Sequence, residues 1–300
     1  MDSLTELFCL MDDFCQEFEP ALEKRLLEQG QRKRRRQAGL CLSELLTLVV
    51  LFHQLRYRQF KAFYLHHVRT HLRQEFPRLP SYQRCVALMP RSAIALTALF
   101  ELLKGQCTGL SVADSTSLAV CDNLRISRHR VFQGCAARGK TSTGWFFGFK
   151  LHVVINHVGE LLAIKLTPGN VDDRKPLRQL CDGLFGSLYA DKGYLAKWLT
   201  QWLQERGIRL VTKVRKNMKP VPLSAFDQAL LRQRSIIETV FDELKNLCQI
   251  EHTRHRSIAN FMVNLMAGII AYCLSPNKPR IPVSVAQTLQ RANQTELIQN

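Results

Sequence analysis

Near Gly109 the sequence changes period, and that change limits the folds open to it. Up to about Lys104 the apolar residues recur at helical spacing, with Leu42, Leu45, Leu46, Val49 and Leu55 placed to line one face. Pro77, Pro80 and Pro90 divide this stretch into short helices. From Gly109 onward, short β-rich runs alternate with helix-like ones, as an α/β domain requires. The expected fold is therefore an all-α N-terminal region (1–105), an α/β domain with a mixed sheet flanked by helices (106–275), and a polar C-terminal tail (276–300).

Within the second region Leu110–Val120, Phe146–Asn156 and Leu161–Leu166 are expected strands, the last two forming a hairpin that turns at His157–Glu160. Pro168-Gly169-Asn170 ends the third strand, and Asp172 or Asp173 can cap a helix running toward Cys181. A short strand, Ser187–Ala190, follows. Leu195, Trp198, Leu199, Trp202 and Leu203 then mark an amphipathic helix that Gly207 terminates. Ile208–Val214 alternates as a half-buried strand, and a long helix is expected from about Ser224 to Leu247. Phe261–Leu274 is apolar but shorter than the roughly 20 residues of a bilayer span, so a buried core helix is expected there, in a soluble intracellular protein.

The chain carries 42 Lys and Arg against 25 Asp and Glu, a net charge of +17. Such an excess suits a polyanionic partner, because each cation that neutralises a phosphate releases condensed counterions. Arg32-Lys33-Arg34-Arg35-Arg36 concentrates that charge. Between Asp122 and Glu160 there is no acidic residue, while Arg125, Arg128, Arg130, Arg138, Lys140 and Lys150 supply cations. Gly134, Gly139 and Gly144 make much of this segment an expected flexible loop that clamps the phosphates of such a partner. Trp145, beside Phe146 and Phe147, is expected in the core. None of the ten cysteines stands in a Cys-x-x-Cys spacing, which argues for reduced thiols and against zinc.

Three carboxylates stand out. Asp114 shares a strand face with Val112, Leu118 and Val120, where an ionised group is costly unless a cation or hydrogen bonds compensate. Asp191 follows Leu188-Tyr189-Ala190, where a strand exits into a turn and ligands of α/β sheets collect. Glu238 lies on the expected long helix, with Arg234 about 40° and Lys245 about 20° from it around the axis. Taken singly, these positions suit a strand-end Asp, a helix cap and a surface ion pair equally well. Together they supply hard oxygen ligands of the kind that suits Mg²⁺ or Mn²⁺, and two such ions about 4 Å apart can clamp an in-line phosphoryl displacement.

At these residues the chain resembles the DDE transposases of bacterial insertion sequences. Asp191-Lys192-Gly193-Tyr194 and the Arg234, Glu238, Lys245 pattern are similar to that superfamily's second and third signatures. The intervals of 77 residues from Asp114 to Asp191 (191 − 114) and 47 from Asp191 to Glu238 (238 − 191) fit as well. The stretches Arg125–Arg130, Gly144–His152 and Gly169–Arg174 look most like insertion-sequence family nine-eight-two. The resemblance implies a ribonuclease H-like catalytic domain, with Asp114, Asp191 and Glu238 as catalytic residues and metal ligands. It also implies two Mg²⁺ ions, with Mn²⁺ a possible substitute.

The implied reaction is cleavage of double-stranded DNA at the element's ends, followed by attack of the freed 3′-hydroxyl on target DNA. Arg234, Lys245 and Lys192 are implied phosphate contacts. A homodimer on DNA in the bacterial cytoplasm, associated with the nucleoid and with no membrane, is the implied setting. Some related families carry a Tyr three residues before the motif Arg, where this chain has Leu231. No large insertion fits between Val214 and the catalytic helix. A nuclease or resolvase without strand transfer, and a catalytically silent DNA-binding regulator, are the alternatives.

Overall fold

A computed structural model of the chain describes residues 3–29, 39–141, 144–214, 217–218, 222–251 and 255–282. The cationic run Arg32–Arg36 lies outside the described residues. The chain forms two compact units: Met1–Leu103 with Glu243–Pro276, and Lys104–Asp242 with the segment from Asn277 onward.

The first unit is helical. Helices α1 (Leu4–Glu28) and α2 (Leu42–Gln54) are followed by the short α3 (Phe60–Ala62), a π-helical stretch Phe63–Val68, and α4 (Arg69–His71). Then come α5 (Tyr82–Leu88), a 3₁₀ turn Met89–Ser92, and α6 (Ala93–Leu103). The run Tyr82–Leu103 is long and apolar enough to cross a membrane by length and composition. It is interrupted at Pro90, and its Cys85, Leu88, Ala95, Leu96, Leu99 and Phe100 are buried in the unit's own core. The expected core helix Phe261–Leu274 appears as Ile258–Cys273, capped by Ser257 and packed on α2 and α6.

The second unit is built on a six-stranded mixed sheet: β1 (Leu110–Cys121), β2 (Ala137–Thr141), β3 (Gly144–Asn156), β4 (Leu161–Pro168), β5 (Gly186–Ala190) and β6 (Ile208–Val211). β3 runs antiparallel to β1 and β4, whereas β1, β5 and β6 are mutually parallel. The order β4-β3-β1-β5-β6 is that of a ribonuclease H-like sheet, in agreement with the expected fold class. Asn156 fixes the β3–β4 hairpin at its expected place. Its side-chain oxygen accepts from the Val158 and Glu160 amides at 3.1 and 3.0 Å, and its side-chain nitrogen donates to the Gln106 carbonyl.

Residue parity assigns the helix layers. Ala113, Val154, Leu188, Ala190 and Ile208 share one face, covered by Leu177 and Leu180 of α7 (Arg174–Leu180) and by Leu199 and Leu203 of α8 (Lys197–Gln204). On the opposite face Tyr189 meets α9 (Ala225–Gln233), while β1 packs against α10 (Ile236–Asp242). The single long helix expected over Ser224–Leu247 is thus interrupted at Arg234-Ser235 and turns π-helical over Glu243–Leu247. The final helix Ile258–Cys273, α11, belongs to the first unit.

Glycine permits one close approach. A Cβ on Gly148 would stand 2.0 Å from the Leu118 carbonyl oxygen, beside the bulge where β1 slips register between Ala119 and Cys121.

Candidate active site

The expected carboxylates meet at a guanidinium. Asp114, even-numbered like Val112 and Leu118 on β1, projects from the sheet face opposite Ala113 and opposes Val153 in the ladder. One of its oxygens accepts the Ser115 amide at 2.8 Å and the other accepts Arg234 Nη1 at 2.9 Å. Arg234 stands at the α9–α10 junction. Its Nη2 lies 3.9 Å from Asp191 and 4.0 Å from Glu238. Residues 114, 191 and 238 therefore share one cationic neighbour.

The three carboxylates differ in environment. Burial pushes the Asp114 carboxyl above its ordinary range, against the pull of the Ser115 amide and Arg234. Its side chain is 23% exposed, against 49% for Asp191 and 65% for Glu238. Asp191 heads the 3₁₀ turn Lys192–Tyr194, yet its side chain makes no capping bond and is left for the site. Tyr194, buried at the end of that turn, has its hydroxyl raised well above the usual tyrosine range by burial and by the charges of Asp114 and Asp173.

The donor chemistry suits a hard divalent cation, since all three groups are carboxylates gathered about one positive centre. As the side chains stand, no three Asp, Glu, His or Cys residues among those described are close enough to share a metal ion. The guanidinium occupies the place where the negative charges converge.

The other expected site residues divide into two sets. Arg125, Arg128, Arg130, Arg138, Lys140 and Lys192 are exposed. Lys150 is not, since its ammonium donates to Asp173 at 2.9 Å and to the Val171 carbonyl at 3.1 Å. Lys245 pairs with Glu251 at 3.3 Å. It lies in the π-helical stretch, so the 100° count that aligned it with Glu238 does not carry through. Leu231 is buried in α9.

The basic segment is more ordered than a flexible loop. Asp122 caps a 3₁₀ helix, Asn123–Arg128, and β2 pairs with Gly144–Gly148 of β3. Trp145 is 52% exposed, correcting the core expectation, with Arg138 5.0 Å and Lys140 5.6 Å from its ring centroid. Asp173 heads α7 without a side-chain capping bond, because its carboxylate holds Lys150 and stands 3.8 Å from the buried His152. Asp172 accepts the Arg174 amide at 2.9 Å and the Arg174 guanidinium, whose hydrogen bonding holds it down at about 2. Sequence reasoning missed the Asp173–Lys150–His152 cluster. The only signal was the i, i+2 placement of Lys150 and His152 on one strand face.

A Brucella ovis protein described as a transposase for insertion sequence element IS6501 is 29% identical over 125 residues, which is 40% of this chain and 95% of the relative. A crystal structure of the Mos1 strand transfer complex aligns over 84% of this chain and 86% of its own. Its 12% identity and TM-score of 0.23 are too low for the alignment to bear on the fold. The family profile described as a transposase DDE domain matches residues 104–258, and so takes in the sheet and all three carboxylates. The match reaches the DDE domain and not the finer assignment to insertion-sequence family nine-eight-two. With that profile spanning more than half of its length, this chain belongs to the DDE transposases.

Proposed function

We propose that Asp114, Asp191 and Glu238 are the catalytic metal ligands of this transposase. The observation that carries the reading is that all three lie within 4.0 Å of the Arg234 guanidinium, although they are scattered along the sequence. DDE transposases use divalent metal ions, and an all-oxygen donor set favours Mg²⁺, two ions in this reading, with Mn²⁺ as substitute. When bound, the metal supplies Lewis-acid stabilisation of phosphodiester oxygens and a more acidic water or 3′-hydroxyl.

The chain's own residues do the rest. Asp114 is anchored on the central strand by the Ser115 amide, which fixes its orientation. Arg234, once released from the carboxylates, and the exposed Lys192 face the phosphates of the scissile strand. Arg125, Arg128, Arg130, Arg138 and Lys140 grip the duplex backbone farther along. Lys150 holds Asp173 and Lys245 holds Glu251, so neither serves DNA in this arrangement.

The helical region before residue 105 binds the element's ends in this reading. Arg56, Arg58, Lys61, Arg69, Arg73, Arg78, Arg84 and Arg91 are all exposed there, and Glu75 is the single acidic residue between Leu55 and Arg91. Synapsis of two ends calls for a homodimer on DNA.

The test is Mg²⁺-dependent cleavage of duplexes bearing the inverted repeats that flank the coding region, followed by strand transfer of pre-cleaved ends. Asp114→Asn, Asp191→Asn and Glu238→Gln should each lower both reactions on the order of a hundredfold or more without weakening duplex binding. Cleavage that survives any one of these changes refutes the assignment. Cleavage without strand transfer would make the protein a nuclease.

A further inference from the structure

On the sheet face opposite α9 and α10, helices α7 and α8 and the turn after α8 carry an alternating stack of cations and indoles. The Arg178 guanidinium lies 4.8 Å from the ring centroid of Trp198 and 5.5 Å from that of Trp202, and Arg206 lies 4.0 Å from Trp202 on its own. The order is Trp198, Arg178, Trp202, Arg206. At the Trp198 end the stack borders an open cleft of about 340 Å³ lined by Lys175, Arg178 and Trp198.

Packing accounts for Trp202, which lies against the core beneath α7 and α8, but not for Trp198. Leu199 and Leu203 already anchor α8 to the sheet at 0% exposure, whereas Trp198 remains 42% exposed. Among the described residues neither Arg178 nor Lys175 has an ion-pair partner, so their charge faces outward without a carboxylate to answer it. A guanidinium in contact with two indoles has less rotamer freedom left to lose, which lowers the entropic cost of binding.

We propose that this face is a second DNA-binding site that takes an unpaired strand, one base stacking on Trp198 as the next rung while Lys175 and Arg178 neutralise the flanking phosphates. Base–aromatic stacking between cations is the chemistry that selects single strands over duplex, because the bases of a duplex are already stacked on one another and offer no free face. The parity of β5 places Leu188 and Ala190 toward this layer and Tyr189 toward α9. The strand held here is therefore not the one presented to Asp114. Transposition leaves unpaired segments beside each cut, and this site suits them. The proposal rests on DNA being the partner and not on what the carboxylates do.

The experiment uses the full chain with Trp145→Phe, so that Trp198 and Trp202 are its only indoles. Titration with a twenty-residue oligothymidylate at low salt should quench their emission to saturation. In the same background Trp198→Ala and Arg178→Ala should each weaken anisotropy-detected binding at least about fivefold, whereas Trp198→Phe and Arg178→Lys should retain most of it. Circular dichroism checks folding, and if an Ala variant fails to fold, Trp198→Leu and Arg178→Gln, which keep bulk but remove the stacking ring or the charge, replace it with the same expected loss.

Unquenched emission overturns the proposal, as does affinity indifferent to Trp198 and Arg178. So does equal quenching by polyglutamate of matched charge, which would make the face a docking patch for acidic protein. The titration reads binding alone, so a failure here leaves the carboxylate reading standing, and inactive carboxylate variants leave this one standing.

Discussion

Asp227→Ala should destabilise the α/β unit by about 2–3 kcal/mol, and the reason can be worked from its neighbours. The carboxylate is buried and accepts four hydrogen bonds: Tyr189 hydroxyl at 2.9 Å, Arg209 Nη1 and Nη2 at 2.8 and 2.7 Å, and Ser224 hydroxyl at 3.0 Å. Burial alone would raise its pKa, but the bonds from Arg209, Tyr189 and Ser224 outweigh burial and hold it below the usual range.

Removing the carboxylate takes away the acceptor of the buried Tyr189 hydroxyl, for which the neighbouring Ser187 is only a partial substitute, and this costs about 1–3 kcal/mol. Arg209 is 57% exposed and can turn to water, so the loss stays below the roughly 3–5 kcal/mol of a fully buried broken pair. Asp227→Asn keeps an acceptor for Tyr189 and should cost about 1 kcal/mol. Tyr189→Phe combined with Asp227→Ala should cost less than the two separately by about 1 kcal/mol. Because the native pKa is depressed, this stabilisation is present above about pH 4 and is lost as pH falls through the native value.

Urea titration followed by tryptophan emission is the assay, since Trp145, Trp198 and Trp202 all lie in this unit. A loss under about 1 kcal/mol for the Ala variant, or additivity with Tyr189→Phe, refutes the reasoning. Tyr189 precedes Asp191 by two residues and α9 ends at Arg234, so the same change should also slow DNA cleavage.

Arg234→Gln removes the positive charge that the three carboxylates share, and at a half-exposed site this should tighten Mn²⁺ binding by about tenfold. Calorimetry without DNA measures it, and unchanged or weaker binding would show that the guanidinium does not compete with metal. His152 is buried and neutral, its pKa driven down by burial, and by Lys150 and Lys165 against the pull of Asp173. Below about pH 6.5 the unfolded chain gains a proton that the folded one refuses, so stability should fall with pH by up to about 1.4 kcal/mol per unit. His152→Gln should flatten that slope in the emission assay, and an unaltered slope would exonerate this residue. Gly148→Ala would push a methyl into the Leu118 carbonyl and should cost about 1–3 kcal/mol in the same assay. A neutral result there would mean that β1 and β3 separate freely.

Much of the sheet was legible because five of its strands carry an apolar pattern of their own. The exception, β2, reads Ala137-Arg138-Gly139-Lys140-Thr141, with no apolar alternation, and its only reason to be a strand is the free edge of β3 beyond β4. Trp145 was misplaced for a related reason: adjacent aromatics on a strand point to opposite faces, and burial belongs to Phe146. Residue type and element singled out the three carboxylates that the fold gathers around Arg234. Arg234 was recognised as a neighbour of Glu238, but its contact with Asp114 spans 120 residues of chain and has no local signal. The alignment of Lys245 with Glu238 does not hold because helical counting assumes an uninterrupted α-helix, and nothing in Glu243–Leu247 announces a π turn.

β3 serves as a common rail, pairing with β2 over its first residues and with β1 at Val153, opposite Asp114. From Trp145 to Val153 the chain advances eight residues, which at about 3.3 Å each is roughly 26 Å. The ladder thus holds the Trp145 cluster, with Arg138 and Lys140 beside it, at a fixed reach from Asp114, and adding or removing two residues of β3 between them would change that reach by roughly 7 Å.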